Sequence, residues 1–174
     1  MTDEVKLIGP RADFREEFIA YCEEFQAAAE PFAHWSADEA RRDFAGLVRR
    51  WDKYGVGVGL PQGYVPQTTY WFVRGGTILG TGRLRHRLNE QLSVEGGHIG
   101  YEIRPSERGK GYATRMLGMM LEEARALRLG RVLVTCQKDN AASARVIAKN
   151  GGVLAGEVIS PRTGKLAQQY WIEL

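Results

Sequence analysis

Hydrophobic positions fall into two rhythms along the chain, one of period near four and one of period two. Residues 5–8 are a short apolar run stopped by Gly9-Pro10, which reads as a strand. From Asp13 onward, Phe14, Phe18, Cys22, Phe25 and Ala29 recur at helical spacing, with Glu16, Glu17, Glu23 and Glu24 between them. That predicts an amphipathic helix. Ser36 followed by Glu39 reads as a capping box for a second helix with the stripe Ala40, Phe44, Leu47, Val48 and Trp51. Residues 55–66 then collect Gly55, Gly57, Gly59, Pro61, Gly63 and Pro66. A loop of this length is uncommon, and it reads equally as a substrate-side lid carrying Tyr64 and as a plain connector.

A run of strands follows. Residues 69–74 are β-branched and aromatic, Gly75-Gly76 signals a hairpin, and residues 77–87 return. Residues 92–97 read as a loop or short strand, and residues 98–103 as a strand ended by Pro105. With no helix between them, these strands are expected to pair antiparallel. Then the rhythm changes. Ala113, Met116, Leu117, Met120, Ala124 and Leu127 form a helical stripe ended near Gly130. Residues 131–136 read as a buried strand, and Asn140 as the cap of a short helix carrying Val146 and Ile147. Residues 153–160 and 166–172 form a last hairpin around a 161–164 turn. The strand–helix–strand order across 98–136 implies a parallel pair. The expected fold is therefore a mixed α/β sheet, an α+β arrangement flanked by helices.

Composition narrows the field. The 174 residues suit a single domain spanning 1–174. Apolar residues at 44% and charged residues at 26% are ordinary for a globular chain. Twenty-four basic against 21 acidic residues give +3, too mild for a nucleic-acid binder. The sequence has no long apolar run that would span a membrane, and Met1-Thr2-Asp3-Glu4 lacks the basic flank and apolar block of a signal peptide. The two cysteines, Cys22 and Cys136, read as reduced thiols of a cytoplasmic protein. His34, His86 and His98 are not at metal-ligand spacing, so no metal is expected.

Chemistry concentrates in residues 103–114, where a strand ends, a glycine-spaced turn follows and a long helix begins. The first backbone N–H groups of a helix lack intrahelical acceptors and carry partial positive charge, which makes such a turn an anion site. Gly109 and Gly111 leave those amides bare, and Arg108, Lys110 and Arg115 add charge. A Walker A loop is excluded because Gly111 follows Lys110, and the dinucleotide fingerprint is excluded because Thr114 replaces its third glycine.

The pattern Arg108-x-x-Gly111-x-Ala113, preceded by Ile103-x-Pro105, resembles the acetyl-CoA-binding motif of the GNAT superfamily of N-acetyltransferases. Asn140 through Gly151 is similar to the second half of that signature, so the likeness spans residues 98–155. The resemblance implies a mostly antiparallel sheet in which one parallel pair, 98–103 and 131–136, splays apart to take a pantetheine arm. It further implies pyrophosphate contacts from Gly109, Lys110, Gly111, Tyr112, Ala113 and Thr114, and that Asn140 touches the arm or orders the site. A backbone N–H at Ile103 or its neighbour would stabilise the oxyanion. The acceptor would be the amine of a small molecule or peptide. The oligomeric state, a homodimer included, is left open.

Acetyl transfer to an amine needs a neutral nucleophile, and an alkyl amine has a pKa near ~10.4. Two bases stand out on the strand beside the acetyl site. His98 is the first, since an imidazole titrates near neutrality, although a hydrogen-bonded sheet histidine is an equal reading. Glu102 is the second, on the same face by period-two alternation, although an ion pair with Arg85 or Arg104 is the favoured reading. Many members of the superfamily carry a tyrosine seven residues after the motif asparagine as general acid; here that position is Ile147. Ser143, Tyr170 or water would have to replace it. Cys136 reads as a packing thiol. Arg83, Arg85 and Arg87 alternate along one strand face. They read as a solvated strand end paired with Glu90 and Glu95, ahead of an anion grip for the substrate. The specificity of an acceptor would lie in the first two helices, the 55–66 loop and the last hairpin.

Overall fold

The computed structural model describes residues 4–30 and 37–174. The first helical pattern becomes α1 (Arg15–Ala27), entered through a 3-10 turn at Ala12–Phe14. The second becomes α2 (Ala37–Gly55), which breaks at Asp43, where φ is −153°. The Asp43 carboxylate accepts from the Gly46 N–H at 2.8 Å, which is how an N-cap restarts a helix. Ser36, the expected cap of this helix, lies outside the described residues.

Strands β1 (Val5–Ile8), β2 (Gln67–Arg74), β3 (Thr77–Arg85) and β4 (Ile99–Ile103) form one antiparallel sheet in that order. β3 stops at Arg85 rather than 87, because the chain turns into a helix. Residues 92–97, expected as loop or strand, begin inside this helix, α3 (Glu90–Val94). The Asn89 side chain accepts from the Leu92 N–H at 2.9 Å, so an N-cap, not the apolar pattern, decides the local structure. The long amphipathic stripe is α4 (Tyr112–Ala126). β5 (Arg131–Gln137), α5 (Ala141–Lys149), β6 (Val153–Ile159) and β7 (Leu166–Glu173) complete the chain, and the second antiparallel sheet has the order β5-β7-β6.

Helices cover both faces. On one face α1 and α2 pack Phe18, Phe44 and Trp51 around Trp71 of β2; the Phe18 and Trp71 rings stack at 5.4 Å. On the other, Met116, Leu117, Met120 and Leu121 of α4 pack on Leu79, Leu84 and Ile99, with Ile147 of α5 joining them. Burial of each such side chain contributes about 1.5–3 kcal/mol. α4 can lie this close because β3 offers no side chain at Gly82, where a Cβ would sit 2.6 Å from the Met120 sulfur. The two sheets adjoin at β4 and β5, and that junction positions the site.

Candidate active site

β4 and β5 start together and then part. The His98 N–H donates to the Leu133 carbonyl at 2.7 Å, while the Leu133 N–H donates to Nδ1 of His98 at 2.9 Å. Gly97 makes this approach possible: its φ is +60°, and a Cβ there would sit 2.3 Å from the Leu133 carbonyl oxygen. Beyond His98 the two strands share no ladder, so the expected parallel pair is a seam fastened only at its start.

Register says which amides face the opening. The Arg85 N–H donates to the His98 carbonyl, and the Arg104 N–H to the Leu79 carbonyl. Alternation along an antiparallel pair therefore turns the His98 carbonyl, the main-chain groups of Gly100 and Glu102 and the Arg104 N–H toward β3. Those of Ile99, Tyr101 and Ile103 point the other way, into the seam. The opening is lined on one side by the main-chain groups of Ile99, Tyr101 and Ile103, which lie outside the β3 ladder, the edge onto which an extended chain adds as a strand.

The turn after β4 stands at the end of this seam. Gly109 and Gly111 have φ of +75° and +79°, and Gly111 is the N-cap of α4 with no side-chain cap. A Cβ at either glycine would meet no heavy atom within 4 Å. The first-turn amides of Tyr112, Ala113 and Thr114 thus open onto space, and no acidic residue lies in that turn. Arg115 is exposed beside it. Two expected phosphate contacts have other partners. Arg108 donates through Nε to the Ile103 carbonyl at 3.0 Å and forks onto Glu30 with two bonds of 2.7 Å. It ties the turn to the end of β4, with its guanidinium over Phe25. Lys110 pairs with Glu107 at 3.0 Å.

The two faces of β4 carry different chemistry. Toward α1 stands Glu102, which accepts from the Thr81 hydroxyl at 3.2 Å; Tyr21 of α1 reaches the same hydroxyl at 3.3 Å. Burial raises the Glu102 carboxyl above its usual range, against the opposing pull of Arg83, Thr81 and Arg108. The expected ion pair with Arg85 or Arg104 is not made. Arg104 is bound to Glu24 at 2.5 Å and Glu17 at 2.6 Å, and Arg85 to the carbonyls of Gly96 and Gly97. His98 lies on the same face, 7% exposed, edge-on to Trp171 at 6.2 Å. Burial and the charge of Arg85 push its imidazole down to about 4. With Nδ1 accepting from Leu133, the remaining proton belongs on Nε2, so neither nitrogen offers a lone pair for proton abstraction.

Toward α4 and α5 stands Tyr101, a residue the sequence reading did not single out. Its hydroxyl is 3.0 Å from that of Ser143, and burial raises the phenol to about 12. Ser143 is held by Asn140, whose side chain caps α5 by accepting the Ser143 N–H at 3.0 Å. Cys136 is buried beside them, its thiol pushed up by desolvation. Ile147 is fully buried in the core. Tyr170 bonds Gln168 at 2.7 Å. Tyr101 was detectable only as the seam-side partner of Glu102 in the two-residue alternation.

Among the described residues, no helix is long and apolar enough to cross a membrane, and no cluster of three metal-ligating side chains occurs.

Comparison with known proteins bears on the fold and the family. No curated protein sequence matches the chain. Among solved structures, the Microcin C7 self-immunity acetyltransferase MccE, in complex with acetyl-CoA and AMP, is 14% identical with a TM-score of 0.73, over 99% of this chain and 94% of that one. RimJ of Mycobacterium smegmatis, in complex with CoA-disulfide, is 19% identical with a TM-score of 0.73, over 97% of this chain and 81% of that one. RimL, the ribosomal L7/L12 alpha-N-protein acetyltransferase, in complex with coenzyme A, is 18% identical with a TM-score of 0.72, over 99% and 96%. At these identities they share the fold alone. The profile described as "Acetyltransferase (GNAT) domain" matches residues 6–153, and the chain therefore belongs to the GNAT acetyltransferase family.

Proposed function

We propose that the protein moves an acetyl group from acetyl-CoA to a primary amine by direct attack within a ternary complex. The observation that carries this is the seam: a β4 edge with outward amides at Tyr101 and Ile103, leading to the bare helix start at Gly111. In this reading Gly109, Gly111 and the amides of Tyr112 to Thr114 hold the diphosphate, with Arg115 close by. The β4 edge receives the pantetheine arm as a strand. The Ile103 N–H faces the thioester oxygen and stabilises the oxyanion.

The residues on the two faces divide the proton work. Glu102 faces α1 and takes the proton of the attacking amine; its raised basicity suits that task. The Tyr101–Ser143 hydroxyl pair faces α5 and lies where the thiolate departs. A thiolate whose acid has pKa near ~8.5 leaves with little help, so the loss of a hydroxyl at Ile147 is tolerated. His98 fastens the seam and so positions β4. We assign it no proton transfer, because both its ring nitrogens are committed.

The test is a thermal scan with acetyl-CoA followed by thiol release across a broad amine panel. A rise in melting temperature with acetyl-CoA and thiol release with at least one amine are the expected results. The buried isoleucine at the usual acid position favours one other reading, an acyl-CoA sensor of the same fold. A thermal shift with no thiol release for any amine would establish that reading instead.

A further inference from the structure

Two buried hydroxyls close the side of β4 that faces α1. Thr81 and Tyr21 are both fully buried, and Tyr21 sits in the aromatic cluster with Phe18, Phe25 and Trp71. A buried hydroxyl is costly unless it is bonded, and valine and phenylalanine would fill the same space without that cost. Thr81 lies directly opposite Glu102 in the register of β3 and β4, so the two side chains leave the sheet on the same face. The Thr81 hydroxyl donates to Oε1 of Glu102 at 3.2 Å. The Tyr21 hydroxyl is 3.3 Å from the Thr81 oxygen and 3.5 Å from the Glu102 main-chain carbonyl. Thr81 has one proton and places it on the carboxylate, so between the two hydroxyls Tyr21 is the donor.

α1, β3 and β4 thus meet at one carboxylate. Its other charged and titratable neighbours act differently. Arg83 of β3 is 9% exposed and does not belong to the solvated strand end that its alternation predicts. Arg83 and Arg108 reach Glu102 through charge, and Thr81 reaches it through a hydrogen bond. From α1, burial pushes up both Tyr21 and Cys22, the latter to about 12. Both stay neutral over the range in which a carboxyl titrates. A carboxylate attracted by charge alone can still rotate about its last bond. A hydroxyl that is itself fixed, bonded to Oε1, stops that rotation and leaves Oε2 for the amine.

Resting on the reading of Glu102 as the base, we propose that Thr81 and Tyr21 are its positioning residues. Thr81 fixes the carboxylate and, by donating to it, favours its ionised form. Tyr21 fixes the direction of the Thr81 hydroxyl. Neither residue touches the substrate.

The test is a pH profile of kcat and KM for the amine acetylated fastest in the panel, with acetyl-CoA affinity by calorimetry as the check that each variant is folded. Thr81→Val keeps the volume and removes the donor. It should move the rising limb of the kcat profile up by about one to two pH units, the effect of losing a hydrogen bond to a charged group. It should also lower the plateau by about tenfold, because the base is no longer held in line. KM and acetyl-CoA affinity should stay within a factor of a few. Thr81→Ser should bring limb and plateau back to near the unmodified values. Tyr21→Phe should move the limb the same way by less, and the double variant should be no worse than Thr81→Val, since Tyr21 acts through that hydroxyl. A merely structural role lowers stability and leaves the limb in place. A limb unmoved in the folded variants would therefore overturn the proposal while leaving acetyl transfer intact, and so would a folded Thr81→Ser no better than Thr81→Val. A limb that survives Glu102→Gln would remove Glu102 as the base and the proposal with it. No thiol release with any amine would overturn the acetyl-transfer reading itself.

Discussion

His98 and Leu133 exchange two hydrogen bonds across the seam, one main chain to main chain at 2.7 Å and one main chain to ring at 2.9 Å. The ring takes the place of a carbonyl on the β4 side. A parallel ladder can therefore start and then stop within one residue, leaving β4 and β5 free to diverge. The same bond requires a neutral imidazole.

Acid stability should reveal this. The folded-state pKa of His98 lies at about 4, below the ordinary value of 6.5. Between those two values the unfolded chain binds the extra proton and the native one does not. The contribution is thus fully present above 6.5 and is lost as pH falls from 6.5 to 4. The loss is expected to be about 3 kcal/mol. Urea unfolding across that window should show it, and His98→Asn should flatten the slope.

Glu102 behaves in the opposite sense. Its carboxyl is raised by burial, and the proposed mechanism needs it ionised. kcat/KM should rise with pH through an apparent value above that of an ordinary glutamate. Glu102→Gln should lower kcat by about 100-fold or more and remove that limb of the profile. Acetyl-CoA affinity, measured by calorimetry, should stay within a factor of a few.

Gly111 meets two demands at once, a φ of +79° and open space where a Cβ would stand. Gly111→Val should cost about 1 kcal/mol of stability from the left-handed backbone. It should also abolish the acetyl-CoA thermal shift, because the side chain fills the diphosphate position. A valine variant that still shifts normally would move the diphosphate elsewhere.

The hydroxyl pair on the α5 side should matter less. Tyr101→Phe and Ser143→Ala are each expected to lower kcat by less than about tenfold, since the thiolate is a good leaving group. The double variant should be little worse than the stronger single one, because the two hydroxyls form one hydrogen-bonded unit. Rapid-quench measurement of the acetyl-transfer step would decide it.

Much of this was legible in the sequence where local patterns rule. The α4 stripe, the glycine turn before it and the Asn140 cap are short-range features, and each formed where its residues indicated. The misreadings share a different cause. α3 came from one capping asparagine that outweighed a weak apolar pattern. The arginines of β3 alternate as a solvent-facing strand end would, but Arg83 is buried and Arg85 is bound to the carbonyls of Gly96 and Gly97. The partners of His98, Glu102 and Arg104 lie 35, 21 and 80 residues away in the chain, and no local spacing encodes such pairings.

The central claim is that the β4 edge facing the seam receives an extended ligand, and amide hydrogen exchange tests it residue by residue. Without ligand, Glu102 should be protected by its pairing to β3, whereas Tyr101 and Ile103 should exchange quickly. Saturating acetyl-CoA should slow Tyr101 and Ile103 together with Ala113 and Thr114, and leave Glu102 as it was. Exchange at Tyr101 and Ile103 that is unchanged by bound acetyl-CoA would contradict the account.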